Sequence, residues 1–224
     1  MGTDRSVTGW DKAARQVRGL MKASHGFRTL RDMVPAGCVV EGSQLEPQWP
    51  LGEGAYAYVC LARLDGHREV AVKTLKPHLL GNPKELSMFF SETQLLRRLR
   101  HANIVEFIGV GGDEAEASGQ LGRLYIVQEY CAGGSLRDLV LAQMFRPDDR
   151  LYTHADALRW AVQLSRALTY LHSARPKVIH RDLKLDNVLR THKPAATSDV
   201  KLCDFGLARL VAASSGGLHL KEEL

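Results

Sequence analysis

The sequence predicts an α+β fold in which a strand-rich part is followed by a part that begins with helices. Residues 46–130 contain four short runs that are typical of strands, with one helical stretch among them. Residues 131–224 begin with helical periodicity and continue as short apolar runs between charged loops. A length of 224 residues allows one domain comfortably, or two small ones at most.

Composition excludes several classes of protein. Hydrophobic residues make up 45% and charged residues 25%, close to the soluble globular average, so a wholly disordered or fibrous chain is excluded. The longest uncharged apolar stretch, residues 139–145, is far too short to cross a bilayer, and residues 1–30 lack the apolar core of a secretory signal. The net charge of +5 is too mild to indicate nucleic-acid binding. Four widely spaced cysteines without a CxxC pair predict a reducing, cytoplasmic location.

Residues 1–45 differ from the rest and are predicted to be a basic extension. Seven Lys or Arg residues lie between positions 5 and 31, among apolar residues at rough helical spacing. Such a segment can contact a membrane surface or an acidic partner, and the first six residues fit the short myristoylation pattern. We favour a solvated leader, because charge runs are usually solvated faces.

The strand-rich part predicts a small sheet with one helix. β-rich runs at 56–63 and 69–73 flank a Leu-Asp-Gly-His turn signal, and a helix is predicted at 87–99. Two further strands are predicted at 104–110 and 124–130, with residues 111–122 as a loop. In the second part, Thr153 with Asp156 three residues later is typical of a helix start.

A glycine-rich turn precedes the first predicted strand. Residues 51–59 read Leu-Gly-Glu-Gly-Ala-Tyr-Ala-Tyr-Val. Because glycine has no Cβ, backbone N–H groups at Gly52 and Gly54 can approach phosphate oxygens closely. A dinucleotide-binding βαβ unit is disfavoured, since a strand-like run rather than a helix follows the glycines. A simple turn between strands is the alternative.

Two charged residues add to this turn. Lys73 ends the run Val-Ala-Val-Lys, from which it can reach a phosphate held under the glycines, and Glu92 lies nineteen residues further on in the predicted helix. A Lys–Glu pair would fix the ammonium in place. The alternative is that both side chains are simply solvated.

The stretch 180–187, His-Arg-Asp-Leu-Lys-Leu-Asp-Asn, is the most informative. It puts the Asp182 carboxylate, the Lys184 ammonium and the Asn187 amide within six residues of one another. Asp204 opens an Asp-Phe-Gly sequence twenty-two residues after Asp182. Asn187 and Asp204 offer the hard oxygen ligands that Mg²⁺ prefers. Each motif alone fits a charged surface loop, but their joint order disfavours that alternative.

From about residue 48 to residue 210, these motifs together resemble a eukaryotic protein kinase catalytic domain. The resemblance implies a two-lobed α+β fold with a complete β-rich N-lobe at 46–130 and a partial helical C-lobe at 131–224. Lys184 two residues after Asp182 is similar to Ser/Thr kinases, and the Gly-Gly-Ser-Leu and Asp-Phe-Gly-Leu-Ala-Arg runs resemble the tyrosine-kinase-like group.

The resemblance implies ATP as the nucleotide and assigns its contacts. The glycine-rich turn covers the phosphates with Gly52, Glu53, Gly54 and Ala55. Lys73, oriented by Glu92, holds the α and β phosphates. Adenine pairs with the backbone of Glu129 and Cys131, directly after Gln128, and is enclosed by four apolar side chains: Leu51, Val59, Ala71 and Leu189.

The resemblance also assigns the chemistry of transfer to a protein Ser or Thr hydroxyl. Asp182 accepts the hydroxyl proton, Lys184 neutralises the transferred γ-phosphate, and Asn187 with Asp204 holds Mg²⁺. The sequence departs from the family after Gly206, since only eighteen residues follow and no Ala-Pro-Glu motif is among them. We therefore expect a C-terminally truncated catalytic domain, and the alternative is a non-catalytic kinase-like module that binds nucleotide or a partner protein.

Overall fold

The computed structural model describes residues 36–114, 121–146 and 148–211. Most of the predicted basic extension, residues 1–35, lies outside these ranges, and so do its predicted solvation and the alternative of a membrane contact. Among the described residues, no helix has both the length and the apolarity that crossing a bilayer requires. The described residues form two compact units: unit 1 contains those within Met1–Arg100 and Val105–Ala132, and unit 2 contains those within His101–Ile104 and Gly133–Leu224.

Unit 1 is built on a five-stranded antiparallel sheet. Its strands, in the spatial order β1-β2-β3-β5-β4, are β1 (Leu45–Glu53), β2 (Ala57–Leu64), β3 (Arg68–Leu75), β4 (Phe107–Glu114) and β5 (Leu121–Glu129). A tight turn with Asp65 and Gly66 at positive φ joins β2 to β3, where the sequence predicted it. Alternate residues of β3 are buried, including Val70 and Val72, as expected for a sheet with one covered face.

A strap at residues 38–45 completes the core of unit 1. Val40 N–H donates to the Val110 carbonyl, and the buried Tyr125 hydroxyl donates to the Val40 carbonyl at 3.0 Å. A Cβ at Gly109 or Gly111 would collide with this strap, so β4 needs glycine at both positions. Part of the segment predicted as an extension therefore packs on the sheet.

The helix of unit 1, α1 (Pro83–Leu96), starts four residues before its predicted position and ends three residues earlier. Asn82 accepts a hydrogen bond from the Lys84 N–H, and proline at the first helical position suits a helix start. The apolar periodicity used for the prediction begins only at Phe90, which explains the late start. After Leu96 the chain continues as tighter i→i−3 turns.

The predicted bounds of the strand at 104–110 and of the loop at 111–122 are also wrong. β4 begins at Phe107 and extends to Glu114, and β5 begins at Leu121. Glycines at 111 and 112 made the second half of β4 look like a loop, whereas the strap requires glycine at 109 and 111.

Unit 2 contains two helices, α2 (Leu136–Phe145) and α3 (His154–Ser173). Ser135 caps α2, and Thr153 with Asp156 forms the predicted capping box at the start of α3. Trp160, Ala167 and Leu171 lie on the buried stripe of α3 at helical spacing.

Two short ribbons and one 3₁₀ turn follow these helices. β6 (Lys177–Ile179) pairs with β9 (Arg209–Val211), and β7 (Val188–Arg190) pairs with β8 (Val200–Leu202). The 3₁₀ turn Leu185–Asn187 runs directly into β7. Asn103 joins this unit through its side-chain bond to the Val200 carbonyl at 2.8 Å.

Candidate active site

The glycine-rich turn of unit 1 links β1 to β2 and leaves space around its glycines. The Gly54 N–H donates to the Ala57 carbonyl at 2.9 Å and closes the turn. A Cβ at Gly52 would meet no described heavy atom within 4 Å, and one at Gly54 would approach only the Ala57 carbonyl, at 3.7 Å. Neither glycine has a positive φ. The fold itself therefore does not require glycine here, which fits a turn that leaves room for phosphate oxygens.

Lys73 and Glu92 form an ion pair in unit 1. Lys73 Nζ lies 2.8 Å from Glu92 Oε1, and the Glu92 side chain is only 7% exposed while that of Lys73 is 21% exposed. Glu92 lies on the buried face of α1, so the helix presents its carboxylate to β3. The predicted pair is present, and its role in holding the α and β phosphates stays a prediction.

One face of the sheet collects several predicted nucleotide residues. In the β2–β3 and β3–β5 registers, Val59 is opposite Lys73 and Ala71 is opposite Gln128. Because directly opposed residues and alternate residues along a strand share a face, these four side chains lie on the same side of the sheet. The Gln128 Nε2 atom is buried without a hydrogen-bond partner among the described residues. An orphaned donor on this face suits a ligand that brings an acceptor.

The remaining predicted adenine contacts are less closely grouped. The Glu129 N–H donates to the Glu106 carbonyl at 3.0 Å and fixes the end of β5, two residues before the buried Cys131. Leu51 lies in β1 and is 40% exposed. Leu189 belongs to β7 of unit 2, so its part in enclosing adenine stays a prediction.

In unit 2, the Asp182 carboxylate is held by two donors. Its Oδ2 atom accepts from Lys184 Nζ and from Asn187 Nδ2, both at 2.8 Å, and the same Asn187 amide also donates to the Asp182 carbonyl. Donation from Lys184 is the main cause that lowers the pKa of Asp182, against a smaller opposing effect of burial, and Asn187 adds to the lowering. The same contact raises the pKa of Lys184. Near neutral pH the pair is therefore carboxylate and ammonium.

His180 connects the loop that contains Asp182 to the segment that contains Asp204. Its Nδ1 accepts from the Asp182 N–H at 3.3 Å, which assigns the ring proton to Nε2, and Nε2 donates to the Cys203 carbonyl at 2.9 Å. The ring is 2% exposed and lies 4.8 Å from the Phe205 ring in an edge-to-face arrangement. One buried imidazole thus connects the loop of Asp182 to the segment of Asp204.

Both motifs of unit 2 contain a strained backbone position. Arg181 has φ 66° and Asp204 has φ 60°, a left-handed conformation that costs non-glycine residues about 1–3 kcal/mol. The Arg181 Nε–H donates to the Leu207 carbonyl at 2.8 Å, which ties the two strained segments together. Strain of this kind concentrates at functional sites, where surrounding contacts hold it.

Asn187 and Asp204 are suited to hold a divalent cation. The Asn187 Nδ2 is engaged by Asp182, so its Oδ1 is the atom suited to a metal, and the Asn187 carbonyl accepts from the Cys203 N–H immediately before Asp204. The described part of the chain has no cluster of three or more His, Cys, Asp or Glu residues able to hold a metal. Mg²⁺ does not need one, because it is commonly bound through one or two protein oxygens, waters and substrate phosphates. The donor set therefore fits Mg²⁺ bound together with a phosphate ligand.

The structure adds one residue that the sequence analysis did not single out. Lys76 follows β3, and its Nζ lies 2.6 Å from Glu53 Oε1 in the glycine-rich turn. The available signal was Glu53 itself, an acid between two glycines in a turn predicted to bind phosphates, which calls for a nearby cation.

Comparison with known proteins identifies the family of this chain. The sequence profile of the protein kinase domain matches residues 45–221. A probable LRR receptor-like serine/threonine-protein kinase of Arabidopsis thaliana is 36% identical over 170 residues, 75% of this chain and 16% of that protein. Human mitogen-activated protein kinase kinase kinase 7 is 34% identical over 170 residues, 75% of this chain and 25% of its own length. Serine/threonine-protein kinase 12 of A. thaliana is 36% identical over 154 residues, 68% and 29% respectively. The chain thus matches about a sixth to under a third of the length of these relatives.

Proposed function

We propose that this chain, which belongs to the protein kinase domain family, transfers the γ-phosphoryl group of ATP to serine or threonine hydroxyls of protein substrates. The predicted α+β protein kinase fold is confirmed by the family match and by the sheet and helices described above. The observation that carries the proposal is the Asp182 carboxylate held by Lys184 and Asn187.

Unit 1 supplies the groups for the nucleotide. The open turn at Gly52 and Gly54 leaves space for the phosphates, and Lys73, held by Glu92, offers an ammonium to the α and β phosphates. The face that carries Val59, Ala71 and the orphaned Gln128 amide supports adenine binding. These groups bind and orient ATP, and phosphoryl transfer depends mainly on such alignment and charge neutralisation.

Unit 2 supplies the groups for the transfer itself. The substrate hydroxyl oxygen bonds to the γ-phosphorus, the bond from that phosphorus to the β–γ bridging oxygen breaks, and ADP leaves. Asp182 orients the hydroxyl and takes its proton, and Lys184 neutralises charge on the transferred group. Mg²⁺, held by Asn187 and Asp204, would neutralise phosphate charge when bound. The lowered pKa of Asp182 keeps this acceptor ionised at neutral pH.

The choice of Ser or Thr over Tyr rests on Lys184 and on the relatives. Two of the relatives named above carry serine/threonine-protein kinase in their names. In this chain Lys184 is 50% exposed, and its ammonium is fixed beside Asp182 rather than solvated alone. The compact ammonium of Lys184 beside Asp182 suits transfer to a short side chain, whose hydroxyl has to come close to both Asp182 and the γ-phosphate.

The test is transfer of label from γ-labelled ATP, with Mg²⁺, to dephosphorylated casein by the purified 224-residue chain. Acid hydrolysis of the product should yield phosphoserine or phosphothreonine. Asp204→Asn, which tolerates a left-handed backbone, should abolish transfer, while Asp148→Asn on the exposed surface should not. Phosphotyrosine alone would refute the substrate class. ATP binding without any transfer would instead favour a non-catalytic nucleotide-binding module.

We also propose that the reaction takes place in the reducing cytoplasm. No disulfide joins Cys38, Cys60, Cys131 or Cys203 in the described part of the chain, which supports this location. Fractionation of cells that express a tagged chain tests it, and recovery of the tag mainly with membranes would refute it.

A further inference from the structure

The glycine-rich turn contains an acid where phosphates are proposed to bind. Glu53 is the last residue of β1, between Gly52 and Gly54, and its side chain is 60% exposed. An unpaired carboxylate in such a turn would repel a polyphosphate. The charge of Glu53 therefore needs to be neutralised by a group that does not itself contact the nucleotide.

Lys76 provides this neutralisation. Its Nζ donates to Glu53 Oε1 at 2.6 Å and lies 5.0 Å from the centroid of the Tyr58 ring. The Lys76 side chain is only 14% exposed, so it is confined between the acid and the aromatic face rather than swinging in solvent.

The backbone of Lys76 holds the other side of the turn. Its N–H donates to the Tyr56 carbonyl at 2.9 Å, which extends the β2–β3 pairing one step beyond the Ala57–Leu75 pair. One residue is thus bonded to the last residue of β1 through its side chain and to the residue before β2 through its backbone. Core packing does not fix the position of the turn, because only Leu45 of the nine β1 residues is buried.

We propose that Lys76 is a positioning residue that pins Glu53 and cancels its charge, so that the glycine-rich turn accepts a polyphosphate. This inference rests on the proposed binding of ATP at that turn. Lys76 differs from Lys73, whose ammonium is paired with Glu92 on α1. Loss of Lys76 leaves an unpaired anion in the turn, whereas loss of both Lys76 and Glu53 charges leaves the turn neutral.

The experiment compares ATP–Mg²⁺ and adenosine binding by calorimetry in four proteins: wild type, Lys76→Met, Glu53→Gln and the double variant Lys76→Met/Glu53→Gln. We expect Lys76→Met to weaken ATP binding about fivefold to tenfold while adenosine binding stays within about twofold, since adenosine has no phosphate. The double variant should recover most of the ATP affinity. A fifth protein, Lys76→Arg, should keep the wild-type ATP affinity. In Lys76→Met the KM for ATP should rise, while kcat stays within about twofold.

Each result has a defined meaning. Equal loss of ATP and adenosine affinity in Lys76→Met would show general damage to unit 1 and overturn the inference, as would a double variant as weak as Lys76→Met. If the wild type binds ATP and Lys76→Met binds it equally well, only the inference is overturned. Absence of ATP binding by the wild type would refute the proposed function and the inference together. Unchanged urea midpoints of all four proteins show that folding is not the cause.

Discussion

Two ion pairs of unit 1 have the same N–O distance but differ in burial. This difference in burial determines how strongly the two charges of each pair are coupled. Lys73–Glu92 and Arg68–Glu106 both have N–O distances of 2.8 Å. The side chains of the first pair are 21% and 7% exposed, and those of the second are 46% and 50% exposed. We expect the first pair to be strongly coupled and the second weakly coupled, because water screens exposed charges.

The magnitudes follow from what each substitution leaves behind. Lys73→Met leaves the buried Glu92 carboxylate without this ammonium, and removal of one partner of a buried pair costs about 3–5 kcal/mol. Glu92→Gln leaves an ammonium that still reaches water, at a cost of about 1–2 kcal/mol. The double variant removes both charges and should lose about 2–3 kcal/mol less than the sum of the single variants. For Arg68→Met and Glu106→Gln, the corresponding coupling should be about 0.2–1 kcal/mol.

The assay is urea unfolding followed by hydrogen exchange in β2, β3 and β5, which reports on unit 1 separately from unit 2. Lys84→Met, at an exposed position on α1, is the control and should change the free energy of unfolding by less than about 0.5 kcal/mol. Equal coupling in the two pairs would refute the argument that burial, rather than distance, gives the Lys73–Glu92 pair its strength.

Three further predictions concern the sheet of unit 1. Burial chiefly raises the pKa of Tyr125 to about 12, above an unfolded value of about 10, so its stabilising contribution is full below pH 10 and is lost as pH rises towards 12. Tyr125→Phe should therefore flatten, by about 2–3 kcal/mol, the fall in unfolding free energy across that window, measured by urea titration at each pH; an identical slope in both proteins would contradict this. Gly111→Ala should destabilise the sheet by about 1–3 kcal/mol because its Cβ would collide with the Tyr125 hydroxyl and the strap. Gly52→Ala should leave the urea midpoint unchanged and weaken ATP binding. A lowered urea midpoint with unchanged ATP binding would show that the open space at Gly52 has no role in binding.

The features that the sequence predicted well are those with short-range signals. The capping box joins Thr153 and Asp156, three positions apart, and Asp182 and Asn187 lie five positions apart, so closeness in the sequence alone brings these side chains together. The Lys73–Glu92 pair was harder, since its two residues are far apart along the chain, and only its order relative to the other motifs favoured it.

The features that the sequence missed depend on distant parts of the chain. The glycine at 111 indicated a loop by local propensity, but a strap more than sixty residues earlier requires it within a strand. The start of α1 at Pro83 did have a local signal in Asn82, which the later apolar periodicity outweighed. Lys76 has no local signal at all, because its partner Glu53 is twenty-three residues away.

The most direct test of the proposed function measures phosphoryl transfer at equal ATP occupancy in wild type, Asp182→Asn and Asp186→Asn. Asp186 lies on the same 3₁₀ turn as Asn187 and is half exposed, which makes it the matched control. The measured quantity is the single-turnover rate of γ-phosphate transfer to a serine peptide, with bound ATP determined in parallel. Asp182→Asn should slow transfer by about 10²-fold or more with ATP affinity within about twofold, while Asp186→Asn stays near wild type. Transfer by Asp182→Asn within about threefold of wild type, at the same ATP occupancy, would contradict the assignment of Asp182 as the group that accepts the hydroxyl proton.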